Sequence, residues 1–192
     1  MKLFCLFLIM FFSVTISADS LPDLIDKTKQ SIVAVGTYMP KRSPKALFLG
    51  TGFAINDGRL IVTNAHVLPK KIDAMGFEVL TVYIKQNGQS KKLDVKVVAI
   101  DKEHDIAILQ LLSGTLPALA LESSVVREGQ SIAFTGYPIG MVLGLYPVTH
   151  TGIISAISPV VIPMMRSRQL NAKLLKRLRD PFKVYQLDAT AY

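Results

Sequence analysis

The chain is poor in the residues that staple, ligate and span. Its 192 residues contain one cysteine, Cys5, no tryptophan and three histidines, His66, His104 and His150. With no second thiol, no internal disulfide can form, so stability has to come from a packed core. A cysteine-based zinc site is excluded, and no two of the histidines have the close helical spacing of a zinc pair. No metal and no cofactor is therefore expected. Acidic residues are also scarce, 14 against 22 Lys and Arg, for a net charge of +8 and a pI near 9.6. That excess permits contact with anionic surfaces but does not require it, and charge alone gives no specific nucleic-acid site. Long apolar runs are missing too. The only extended one, Leu3–Phe12, falls short of the roughly 20 residues that span a bilayer.

That apolar run is instead framed like an export signal. Lys2 precedes it, and Ser13, Ser17 and Ala18 lead out to the polar pair Asp19-Ser20. A basic start, a short apolar middle and a small-residue exit predict a signal peptide over residues 1–18, with cleavage near Ala18. Cys5 comes too early to be a lipid attachment site. No transmembrane segment is expected once the signal is removed. Removing Lys2 with it leaves +7, from 21 basic and 14 acidic residues. An exported chain without cysteine suits a bacterial periplasm or a secreted bacterial product.

What is present is short apolar runs separated by turn residues. Leu21–Gln30, with Ser20 as a cap and Pro22 in the first turn, predicts a short N-terminal helix. Strands are expected at Ser31–Tyr38, Ala46–Ile55 and Arg59–Thr63, with Asn56-Asp57-Gly58 as a tight turn. More follow at Glu78–Lys85, Lys92–Ile100, Ile106–Leu112, Gln130–Thr135 and Pro147–Ile157, with Asn87-Gly88 as a further turn. Such spacing predicts an all-β sandwich or barrel. One segment breaks the pattern: Arg166–Arg179 sets Leu170, Leu174, Leu175 and Leu178 among six basic side chains. It reads as a solvated basic insertion in preference to a helix that seeks an anionic partner.

Two stretches carry chemistry. Thr63-Asn64-Ala65-His66-Val67-Leu68 mounts an imidazole just past a strand, and imidazole exchanges protons near neutral pH. Asp101-Lys102-Glu103-His104-Asp105 leads into the apolar run Ile106–Leu109 and sets Asp105 at its edge. A buried carboxylate there could take the second N–H of His66 and fix its tautomer. Together with Gly50-Thr51-Gly52-Phe53-Ala54-Ile55, these stretches resemble the trypsin-like serine proteases of the bacterial HtrA (Deg) type. Gly136-Tyr137-Pro138-Ile139-Gly140 and Thr149-His150-Thr151-Gly152-Ile153-Ile154-Ser155 are similar to turns and strands of that family's second barrel.

The resemblance implies a trypsin-like double β-barrel with its active site in the cleft. Residues 21–115 would form the N-terminal helix and the first barrel, carrying His66 and Asp105. Residues 116–192 would form a second barrel that is incomplete. It further implies a serine endopeptidase acting on polypeptide substrates by Ser-His-Asp acyl transfer, with oligomerisation left open. Asp101 and His104 receive no role and are expected to be surface residues beside a turn. The family's nucleophile lies in Gly-Asn-Ser-Gly-Gly, after a strand that Val184–Tyr192 resembles, and none of the serines here has a Gly-x-Ser-Gly setting. The 192 residues are therefore expected to lack the nucleophile, to be inactive, and to expose unpaired edges and apolar surface. The competing expectation is a non-enzymatic binding or scaffold protein on a degenerate protease barrel.

Overall fold

The computed structural model describes residues 20–86, 88–138, 145–159 and 182–189. Residues 1–18, where a signal peptide is expected, Asn87 of the second turn, the Arg166–Arg179 segment and the last three residues lie outside them. Helix α1 (Leu21–Lys29) starts where Ser20 accepts the backbone N–H of Asp23, with Pro22 in its first turn and Lys27 and Lys29 in its last. This order complements the helix dipole.

Strands β1 (Ile32–Tyr38), β2 (Ala46–Ile55), β3 (Leu60–Thr63), β4 (Val79–Gln86), β5 (Gln89–Asp101) and β6 (Ile106–Leu111) close into an antiparallel barrel. Their order is β1-β2-β3-β6-β5-β4, with β4 pairing back to β1. Bulges at Val35/Gly36 and Val97/Ala99 supply the bends that closure needs. Inside lie Val33, Val35, Ala54, Ile61, Leu80, Val82, Leu109 and Leu111. The alternation within β6 follows from that interior, since Ala107, Leu109 and Leu111 point in.

β1 does not alternate. Its first six residues are all buried, because Ile32 and Ala34 on its outer face pack with Tyr83 and Tyr137. A strand covered on both faces reads as a continuous apolar run, and that is how Ile32–Val35 reads. The cover comes from a second sheet of β7 (Ser131–Gly136), β8 (Val148–Pro159) and β9 (Lys183–Asp188), in the order β7-β8-β9. Thr51 of β2 fastens the two sheets by accepting the N–H of Tyr137 at 2.9 Å. The connector from Leu116 to Leu121 lies along the β2–β3 hairpin, with Leu116 N–H on Gly58 O and Leu119 N–H on Ala54 O. Gly58, at φ +79°, has no alternative there: a Cβ would fall 1.9 Å from the Leu116 carbonyl oxygen.

Thus the architecture is all-β, one closed barrel and one open sheet. Among the described residues β7 and β9 each pair only with β8, and Val148, Ile153, Val184, Tyr185 and Leu187 are exposed. Observed strand limits stay close to the expected ones except at β5, which begins three residues earlier than Lys92. No helix among the described residues is long and apolar enough to cross a membrane.

Candidate active site

β3 and β6 pair antiparallel, with Thr63 opposite Ala107. The chain leaving β3 and the chain entering β6 therefore meet at the same end of the barrel. After Thr63 comes a single 3-10 turn, Ala65–Val67, which carries His66 outward and drives Val67 into the core. Before β6 comes Asp105 at φ +55°, a left-handed conformation that Asp tolerates better than most side chains. That conformation turns Asp105 back towards β3.

Four hydrogen bonds hold the two segments together. The backbone N–H of Ala65 and the side-chain amide of Asn64 both donate to the Asp105 carbonyl, at 3.1 and 3.0 Å. The His66 N–H donates to Asp105 Oδ1 at 2.8 Å, and His66 Nδ1 stands 2.5 Å from Oδ2. The bonds from His66 hold the Asp105 carboxyl below the ordinary carboxylate range, its side chain counting most and its backbone N–H next. Asp105 is then ionised at neutral pH and can only accept. The proton between the two groups must sit on Nδ1, which leaves the Nε2 lone pair of the neutral ring free. Such a pair can take a proton from an approaching hydroxyl and return it.

Both residues singled out in the sequence are therefore brought together, but not in the environment expected for them. The sequence implies a buried carboxylate, but the Asp105 side chain keeps 43% of its exposure and that of His66 keeps 72%. The pair sits at the open end of the first barrel, and no described side chain of the second sheet bonds to it. Carboxylate depression here comes from hydrogen bonds, not from enclosure.

The sequence reading missed a second pair. His104 Nδ1 stands 2.6 Å from Asp101 Oδ2, while Asp101 Oδ1 accepts the N–H groups of Glu103 and His104. The Asp101 carboxyl is lowered by the same kind of bonds, the His104 side chain first. An Asp three residues before a His in a tight turn is the signal that could have found it. His150 lies apart from both, on β8 and stacked on Phe134 at 5.3 Å. Among the described residues no three His, Cys, Asp or Glu gather as a metal site would require.

A closed six-stranded antiparallel barrel, joined to a second sheet and carrying a His–Asp pair at its rim, defines a class before any comparison is made. The trypsin-like peptidase domain model matches residues 50–191. The chain is 32% identical over 138 residues to serine protease HTRA1A of Danio rerio, a match covering 69% of this chain and 26% of that protein. It is 34% identical over 111 residues to a probable periplasmic serine endoprotease, DegP-like, of Halomonas elongata, covering 57% of this chain and 21% of that one. Among solved structures, Deg5 superposes with a TM-score of 0.56 at 26% identity, over 73% of this chain and 64% of that one. The Rv3671c protease of M. tuberculosis, in its active form, gives 0.56 at 25% identity over 85% and 60%. The chain belongs to the trypsin-like peptidase domain family, in its HtrA (Deg) branch. It spans about a quarter of the length of the curated relatives it matches.

Proposed function

We propose that this chain is part of an exported serine endopeptidase in which His66 is the general base and Asp105 its orienting carboxylate. The carrying observation is the pair of hydrogen bonds that the His66 backbone N–H and ring Nδ1 donate to the Asp105 carboxylate, which fix tautomer and orientation together. In acyl transfer His66 Nε2 takes the proton of the attacking serine hydroxyl, Asp105 steadies the resulting imidazolium, and the proton passes to the leaving amine. The substrates are polypeptides, and the compartment is the periplasm or the exterior, reached through a signal over residues 1–18. Residues 21–115 then act as the first barrel unit and 116–192 as part of the second.

No serine of the 192 residues stands in a Gly-x-Ser-Gly setting. The 192-residue polypeptide is accordingly proposed to be inactive alone, His66 having no serine in that setting to activate. The second reading is a binding or scaffold protein that uses the barrel without catalysis. Casein hydrolysis separates these, measured on this polypeptide and on one continued through its native reading frame. Activity of the continued chain, lost in His66→Ala, supports the peptidase. A continued chain that contains a Gly-Asn-Ser-Gly-Gly segment and remains inert would overturn it. Hydrolysis by the 192 residues themselves, lost in His66→Ala, overturns the proposed inactivity.

A further inference from the structure

A cavity of about 670 Å³ lies between the first barrel and the second sheet. Strand direction puts it at the opposite end of the barrel from His66. His66 follows the end of β3 and Asp105 precedes the start of β6. The cavity, in contrast, is walled by the start of β1, the end of β4, the early part of β5 and residues 114–117, beyond the end of β6. It is therefore a separate place from the His–Asp pair. Its size lies within the range that takes a small organic ligand.

The lining divides by chemistry. Ile32, Ile84, Leu93 and Leu116 give apolar wall, and Tyr137 and Tyr146 give aromatic surface. Among the described residues all charge in the lining has one sign: Lys29 from the last turn of α1, Lys85 from β4 and Lys91 from β5, with no Asp or Glu. Among the described residues neither Lys29 nor Lys91 has a carboxylate partner, and Lys85 Nζ stands 3.3 Å from the Tyr146 ring centroid. The neighbouring Lys92 shows the contrast. It leaves β5 on the other face, pairs with Asp94 at 2.8 Å and covers Tyr38. The cavity thus gathers three ammonium groups that no described carboxylate neutralises. Like charges around a partly enclosed space raise its potential for an anion.

We propose that this cavity binds a small amphiphilic anion, a carboxylate carried on an apolar body. The ammonium groups take the head through charge-assisted hydrogen bonds, and the aliphatic and aromatic wall takes the body. Two sources share that chemistry, a free acyl carboxylate and the C-terminal residues of a peptide. Calorimetric titration of the polypeptide continued through its native reading frame tests the site with octanoate and N-acetyl-Leu-Phe, each against its neutral amide. At least one acid is expected to bind about tenfold or more tightly than its amide, which is about 1.4 kcal/mol, and to weaken as salt is added. Tighter octanoate assigns the acyl source, and tighter dipeptide the peptide source. The triple variant Lys29→Gln, Lys85→Gln, Lys91→Gln should lose the acid's advantage while melting at the parent temperature. Thr115→Trp, which fills the wall and keeps the charge, should block both acids. Equal binding of acid and amide, no binding of either acid, or unchanged binding in the triple variant overturns the proposal.

Discussion

Among the described residues two histidine–aspartate pairs have almost the same pair geometry, 2.5 Å in His66–Asp105 and 2.6 Å in His104–Asp101. What differs is how each is built. His66 and Asp105 are 39 residues apart in sequence and meet because β3 and β6 pair, with a core residue, Val67, beneath the histidine. His104 and Asp101 are three residues apart in one exposed turn, and the imidazole leans edge-on against Phe182. The short N–O distance is thus common to a long-range assembly and to a local turn. The two pairs are told apart by the scaffold that makes one contact obligatory, not by the contact itself.

The largest effect that could break this contrast is on rate. In a serine-containing version of the chain, His66→Ala should lower kcat/KM for a peptide substrate by roughly 10⁴-fold or more. His104→Ala should stay within about twofold, the outcome of losing an exposed side chain in a turn. Equal losses in the two variants would mean that the local turn belongs to the machinery. Asp105→Asn should lower kcat by about 10⁴-fold, because the amide can donate to Nδ1 and favour the wrong tautomer. Asp101→Asn should again leave kcat near the parent value. A kcat comparison at saturating substrate decides it.

A smaller effect sharpens the point about the scaffold. Gly50 of β2 lies against Val67, and a Cβ on Gly50 would come within 2.6 and 2.9 Å of its two methyl carbons. Gly50→Ala must therefore displace the turn that carries His66 without altering His66 or Asp105. Because misplacement of about 1 Å can cost 10²-fold, a fall of about 10- to 100-fold in kcat is expected. Val67→Ala approaches the same turn from below and should cost about 1–2 kcal/mol of stability, read by urea unfolding. Parent-level activity in both variants would show that the turn needs no buttress.

The same distinction explains what could be read from the sequence. Ala46–Ile55, Ile106 and the start of α1 were legible because period, turn residues and caps act locally. His66 and Asp105 were legible from motif order, although the register that joins them is a long-range property of β3 and β6. β5 was cut short because its first residues, Gln89, Ser90 and Lys91, are polar and exposed. They are strand only because β4 offers them a partner, and no local preference records that. The exposure of Asp105 was misjudged for a related reason: enclosure depends on which elements reach the barrel rim. The Asp101–His104 pair was overlooked even though its signal is local.

The smallest expected effect concerns acid stability, and it turns on the unfolded chain. Both aspartates are held below their ordinary value of 3.8 in the folded protein. A lowered folded value gives stability that is fully present above the unfolded pKa and is lost as pH falls through the folded one. Glu78 behaves in the same way. Thr37, the Asp73 backbone and Arg42 lower it from 4.5 to about 2, so its contribution fades between those values. The pairs should part company because linkage counts only the difference between folded and unfolded states. Three residues of turn can reform the Asp101–His104 contact in an unfolded chain, whereas 39 residues rarely bring Asp105 to His66. Melting temperature followed downwards from pH 5 should fall less steeply below pH 4 in Asp105→Asn than in the parent. Asp101→Asn should track the parent closely. If Asp101→Asn flattened the curve as much as Asp105→Asn, the local pair would be as absent from the unfolded chain as the long-range one, and sequence separation would not be what divides them.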